Sequence, residues 1–153
     1  MTYEVTVKEV TPEPFAGVRG TYRISDLAGV MGREFGRIMA AIASQGVSPA
    51  GGALTVYHAW TEDAVDAEIA FTIEGDFAPQ EDVKPGMLPG GKVAFTVHVG
   101  PYDQIGAAYE AIQQHAEANG LILADMMWER YLTDPADEPD LNKHVTEVFW
   151  PLA

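Results

Sequence analysis

Between Asp26 and Gln45 the apolar residues Leu27, Val30, Met31, Phe35, Ile38, Met39 and Ile42 recur at helical spacing, one stripe turned toward a core. Ser25 or Asp26 can cap its start, and Gly46 suits the left-handed residue that ends it. Gly29, Gly32 and Gly36 inside this helix each cost about 1 kcal/mol relative to Ala, and they permit close packing. A second helix follows "GPYD", with Pro101 in its first turn. Its stripe is Ile105, Ala108, Tyr109, Ile112 and Ala116, and it stops at Asn119–Gly120. Period-two stretches predict strands at 2–10, 15–22, 53–60, 65–73, 92–99, 125–132 and 144–150. "VDAEIAFTI" (65–73) and "KVAFTVHV" (92–99) alternate most cleanly, as in sheets packed on one face.

The order of these elements repeats. "VRGTYRISDL" opens one helix and "VHVGPYDQIG" the other, so that Gly20 and Tyr22 align with Gly100 and Tyr102. Each helix ends in a Gly followed by an apolar residue, "QGV" and "NGL", and each is followed by two strands. "VDAEIAFTI" aligns with "HVTEVFWPL", which sets Glu68 over Glu147 and Ile69 over Val148. The expectation is an α+β domain, a strand–helix–strand–strand unit written twice with antiparallel sheets. The first repeat runs over about 1–75, a Pro- and Gly-rich linker over about 76–90, and the second repeat over about 91–153. With the helices on one face, the opposite face is expected to form a ligand cleft between the repeats. A second, acidic loop, "TDPADEPDLNK" (133–143), reads as surface.

Composition narrows the function classes. The 153 residues fit one domain with a real core, and their net charge is −14. A polyanion is a poor partner for such a chain, which has no basic stripe, so direct nucleic-acid binding is not expected. The same charge disfavours anionic membranes and favours cationic ligands or a basic partner. The absence of cysteine excludes disulfides and thiolate metal sites. No signal peptide and no apolar run long enough to span a bilayer is evident, and a cytoplasmic protein is the expectation. The histidines at 58, 98, 115 and 144 lack metal-ligand spacing, so neither metal nor cofactor is predicted. Ser25, Ser44 and Ser48 have no nucleophile-elbow context, and "GVMGREFG" (29–36) lies inside a helical pattern rather than a phosphate loop.

The chemistry centres on "MMWERYL" (126–132), an apolar strand interrupted by Glu129 and Arg130. If Trp128 packs under the helices, Met127, Glu129 and Tyr131 share the cleft face. A carboxylate between a thioether and a phenol suits a counterion for a cation, or a general acid. The alternative is a solvated strand Glu paired with Arg or Lys. By the repeat, Glu68 and Glu147 also face the cleft, Glu147 with Phe149 and Val145. Three carboxylates and several aromatics would hold an organic cation; a wet sheet face is the other reading. Tyr57 is assigned to the cleft, with adjacent His58 on the reverse face.

Taken in order, these features resemble the GyrI-like small-molecule-binding domain, also the effector-binding domain of bacterial transcription activators of the AraC and MerR types, within the SOUL-like tandem SHS2 superfamily. The matching stretches are "FAGVRG" (15–20), "YH" (57–58), "LPGGKVAFTVHVGPYDQIGAAYEAI" (88–112), "NGL" (119–121), "WERYLTDP" (128–135) and "TEVFWPL" (146–152). The resemblance implies a tandem SHS2 fold with a ligand cleft and a glutamate at the position of Glu129 that meets cationic, lipophilic, multidrug-like compounds. Standalone members are implied to be hydrolases that open the cyclopropane of genotoxic natural products. There a cleft Glu and an aromatic hydroxyl form the implied catalytic pair, filled here by Glu129 with Tyr131 or Tyr57. Other members bind and inhibit DNA gyrase, for which the acidic charge could mimic DNA. Regulators carry a helix-turn-helix domain ahead of this unit. The 153 residues are taken up by the repeats, so the expectation is a standalone form acting as monomer or homodimer, with a protein partner possible.

Overall fold

The computed structural model describes residues 3–134 and 137–153, so positions 135–136 of the acidic loop and Thr2 of the first predicted strand lie outside the described residues. Eight strands and two α-helices fall into two compact units, one spanning 11–90 and the other 1–10 with 91–153.

In the 11–90 unit, β2 (Glu13–Arg23) leads through a 3-10 turn at Ile24–Asp26 into α1 (Leu27–Ser44), then β3 (Ser48–Trp60), β4 (Ala64–Glu74) and β5 (Lys84–Leu88). The sheet order is β3-β4-β2-β5, all neighbours antiparallel. Neither Ser25 nor Asp26 caps α1 through its side chain, because the 3-10 turn already supplies the first bonds. Gly46 takes the left-handed conformation (φ 67°), and Val47 N–H donates back to Ile42 O at 3.2 Å. The buried stripe is Leu27, Val30, Met31, Glu34, Ile38, Ala41 and Ile42. It includes a carboxylate that the apolar pattern did not flag: Glu34 is held by Arg37 at 2.6 Å, and Arg37 also pairs with Asp82. That guanidinium holds Asp82 below its ordinary carboxylate range. Met39, assigned to the stripe, is instead exposed.

Strand register decides which residues face α1. Directly opposed residues share a face, so Thr55, Ile69 and Val18 lie together, as do Tyr57, Ala67 and Gly20, and Phe71 with Ala16. Phe35 of α1 meets Phe71 edge-on at 5.4 Å, so this is the helix-covered face. Leu54, Val56, Glu68 and Ala70 point the other way.

The other unit repeats the plan. β6 (Gly91–Val99) leads through a 3-10 turn at Tyr102–Gln104 into α2 (Gly106–Ala118), then β7 (Met127–Tyr131) and β8 (Val145–Pro151). Its order is β1-β6-β8-β7, where β1 is Thr6–Val10. Gly120 (φ 66°) ends α2 as Gly46 ends α1, with Leu121 N–H donating to Ala116 O at 2.8 Å. In each unit the repeat's last strand lies between its first and its third. The repeat boundary differs from the sequence reading in one respect. β1, read as part of the first repeat, pairs with β6 of the second. The linker is not all loop, since it contributes β5 to the edge beside β2.

Gly17 is required by this packing. A Cβ there would lie 2.8 Å from Ile69 O and 2.9 Å from Ala70 Cβ, closer than a sheet pair tolerates. Gly17→Ala should therefore lower unfolding free energy by about 1–3 kcal/mol, read as a shifted urea midpoint at unchanged slope.

Candidate functional site

The odd-numbered residues of β7 carry the site. Glu129 lies opposite Val148 and Tyr131 opposite Thr146, while Trp128 lies opposite Phe149 and Arg130 opposite Glu147. Val148 and Thr146 in turn oppose Thr96 and His98 on β6. All four of these, with Glu129, are buried. α2 packs on β6 and β8, and the turn leading into it touches this same face, so Glu129 sits beneath the helix layer.

Tyr102, from that turn, donates to Glu129 Oε1 at 2.5 Å, and Tyr131 donates to the same oxygen at 3.0 Å. The two hydroxyls are 3.3 Å apart and their rings meet edge to face at 5.7 Å. Glu129 has 0% exposure, whereas both tyrosines are half-buried. An ionised carboxylate only accepts hydrogen bonds, and two phenols donating to one oxygen match that form.

The turn that delivers Tyr102 is fixed on several sides. Gly100 has φ 134°, which L side chains rarely adopt, and its N–H donates to His144 O at 2.8 Å. His98 Nε2 donates to Pro101 O at 2.9 Å, which leaves Nδ1 to accept from the Tyr3 hydroxyl at 2.8 Å. Pro101 itself precedes a 3-10 turn rather than opening the α-helix.

The expected single cleft face is corrected by the register. Met127, Glu129 and Tyr131 do share a face, but it is the helix-covered one. Glu147 and Phe149 lie on the reverse. The expectation placed Trp128 under the helix; its indole instead stacks on Phe149 at 5.3 Å and 13°, on the side away from α2. On that side Arg130 lies 5.6 Å from the Phe149 ring, and Lys8 Nζ lies 3.6 Å from the Phe95 ring. In the 11–90 unit, Tyr57 is buried on the α1 face, and Glu68 on the reverse face pairs with His58 at 3.0 Å. Beside it Arg19 clamps Asp66 through two bonds and holds that carboxyl below its ordinary range. Glu68 and Tyr57 thus face apart, as do Glu147 and Glu129.

Tyr102 is the candidate-site residue that the strand-based reading missed. It was legible only through the repeat, which aligns it with Tyr22 after a shared Gly, and through its place beside the Gly–Pro turn.

A family model described as the GyrI-like small molecule binding domain matches residues 3–153. The chain belongs to the GyrI-like family. The GyrI-like fold is also found in solved structures. The EcmrR C-terminal domain superposes with a TM-score of 0.86 at 22% identity, covering 100% of this chain and 99% of that one. SAV2435 bound to tetraphenylphosphonium gives 0.69 at 16% identity over 98% and 94%. A hydrolase from Listeria innocua gives 0.67 at 17% over 98% and 92%. In the EcmrR–DNA complex the similarity is 0.88 at 21% identity, and this GyrI-like chain spans only 57% of the EcmrR chain. At these identities the likeness is one of fold. No curated protein matches the chain in sequence. Among the described residues no helix is long and apolar enough to cross a membrane.

If the two phenols hold a charged Glu129, removing the shorter bond should cost the value of a hydrogen bond to a charged group. Tyr102→Phe should lower stability by about 1.5–3 kcal/mol in urea unfolding, more than Tyr109→Phe on α2.

Proposed function

We propose that this GyrI-like domain binds lipophilic organic cations, with Glu129 as the counterion and Tyr102 and Tyr131 as its aromatic, hydrogen-bonding cover. One observation carries the reading: a fully buried carboxylate to which two half-exposed phenols donate. A carboxylate attracts a cation, and the ring faces beside it add cation–π attraction. Met127, two residues along the same face, supplies a polarizable neighbour. SAV2435, which shares the fold, was solved with tetraphenylphosphonium, a cation of this class. Glu68, Glu147 and Phe149 are left out of this site, since the register turns each of them away from its unit's helix-covered face.

Tetraphenylphosphonium titrated into the protein by calorimetry should bind, and Glu129→Gln should weaken it by at least about tenfold, or about 1.4 kcal/mol. Equal affinity for both proteins, or no binding by the wild type, would remove Glu129 from the role of counterion.

A second reading is favoured by the close carboxylate–phenol pair. A glutamate 2.5 Å from one phenol and 3.0 Å from another can exchange a proton with a bound molecule. In a hydrolase of electrophilic cyclopropanes, Glu129 would take a proton from the attacking water while a phenol donates to the oxygen on which charge develops. Mass spectrometry of a cyclopropanoid alkylating agent should then show enzyme-dependent addition of water, lost in Glu129→Gln. An agent that survives wild-type protein unchanged counts against this reading and leaves the binding role standing.

A further inference from the structure

We infer that the outer edge of β1, with the groove between it and α2, is a docking site for an extended, basic peptide segment of a partner protein, which adds to the sheet as a further strand. This inference stands apart from the Glu129 site.

The edge strands β1 and β5, one in each unit, are built differently. β5 reads Lys-Pro-Gly-Met-Leu, where Pro85 lacks an N–H and Gly86 weakens the strand, so it makes a poor template. β1 reads Thr-Val-Lys-Glu-Val, is rich in β-branched residues, and has no Pro. Its register with β6 is unbroken from Thr6↔Phe95 to Val10↔Gly91, without a bulge. Thr6 to Glu9 are all exposed. An edge without Pro or bulge presents outward N–H and C=O groups at alternate residues, the requirement for strand addition.

The segment preceding β1 is pinned into line with it. Thr96 Oγ1 donates to Glu4 O at 2.9 Å, and Tyr3 is tied to buried His98 through its hydroxyl and stacks on that ring at 5.9 Å. Alongside runs an open groove of about 570 Å³, walled by Tyr3 and Val5 on one side and by Ala107, Ala111 and Gln114 of α2 on the other. The small alanines leave room for side chains of an added strand, and the preformed wall lowers the ordering cost of binding.

Charge selects the occupant. Glu110 lines the groove, and Glu4 and Glu9 are exposed along the edge, against Lys8 on β1 and His115 in the groove wall. A basic segment is attracted to this edge, whereas a second copy of a chain with net charge −14 is repelled.

The test uses the whole chain and a fluorescein-labelled peptide of alternating Val and Lys, with a Val–Glu peptide as control, read by anisotropy. The Val–Lys peptide should bind at low salt and weaken as salt rises, and the control should bind at least about tenfold more weakly. Glu110→Lys and the exposed-site Ala107→Trp should each reduce binding about tenfold with unchanged circular dichroism. Hydrogen exchange on the unmodified protein should show protection of alternate β1 amides when peptide is present. Equal binding of both peptides, absence of binding, or protection confined elsewhere would overturn the proposal. So would light scattering that shows a dimer abolished by the same two substitutions, since the occupant would then be a second copy.

Discussion

A carboxylate withdrawn completely from water must find its solvation within the protein, and at Glu129 two phenols contribute to it. That requirement organises much of the 91–153 segment. Tyr131 comes from the same strand, but Tyr102 must be brought over the sheet from the end of β6, two strands away, by the turn ahead of α2. The turn is held by a glycine in a backbone conformation closed to other residues, by the Gly100–His144 backbone bond, and by the His98 ring. His98 in turn depends on Tyr3 for its second ring nitrogen. A chain of hydrogen bonds therefore runs from the amino-terminal segment to the buried carboxylate, each link fixing the next. Leaving one link unmade exposes the following buried polar group to the cost of lost solvation.

The alternation of β7 gives this arrangement its polarity. Trp128 and Arg130 stack on and beside Phe149, which commits the even residues to the reverse face and leaves Glu129 and Tyr131 no choice but the helix side. A one-residue slip would exchange the faces and bury an arginine under α2. The aromatic stack is thus as much a determinant of the site as the residues that compose it.

The repeats, both helices and most strands were legible because each rests on local periodicity or on glycines with fixed conformational roles; Gly46 and Gly120 are the clearest cases. The position of Glu129 in a strand was legible for the same reason. Its face was not, because both sides of β7 are apolar and period two cannot choose between them. Trp128 and Met127 are equally good core residues by type, and only the stacking partner on β8 decides. Glu34 was hidden because its buried charge is compensated by Arg37, which lies one turn further along the helix and is unremarkable in sequence. β5 was hidden because Pro and Gly mark a loop by propensity, while pairing with β2 overrides that preference at a sheet edge. Tyr102 belonged to no periodic pattern at all; its role is a property of the turn.

The pairing of β1 with β6 has a consequence for the order in which the molecule is assembled. Synthesis runs from lower to higher residue numbers, and the 11–90 unit, contiguous in sequence, can complete its own sheet as it emerges. β1 cannot. Its partner begins at Gly91, after the whole of the other unit, so the closure of β1 on β6 is a late event with a large loop entropy behind it. Until then β1 is a bare β-rich segment, and the Tyr3–His98 link that steadies the site's turn cannot yet exist. The sheet that carries Glu129 therefore waits on a strand made well before its partner.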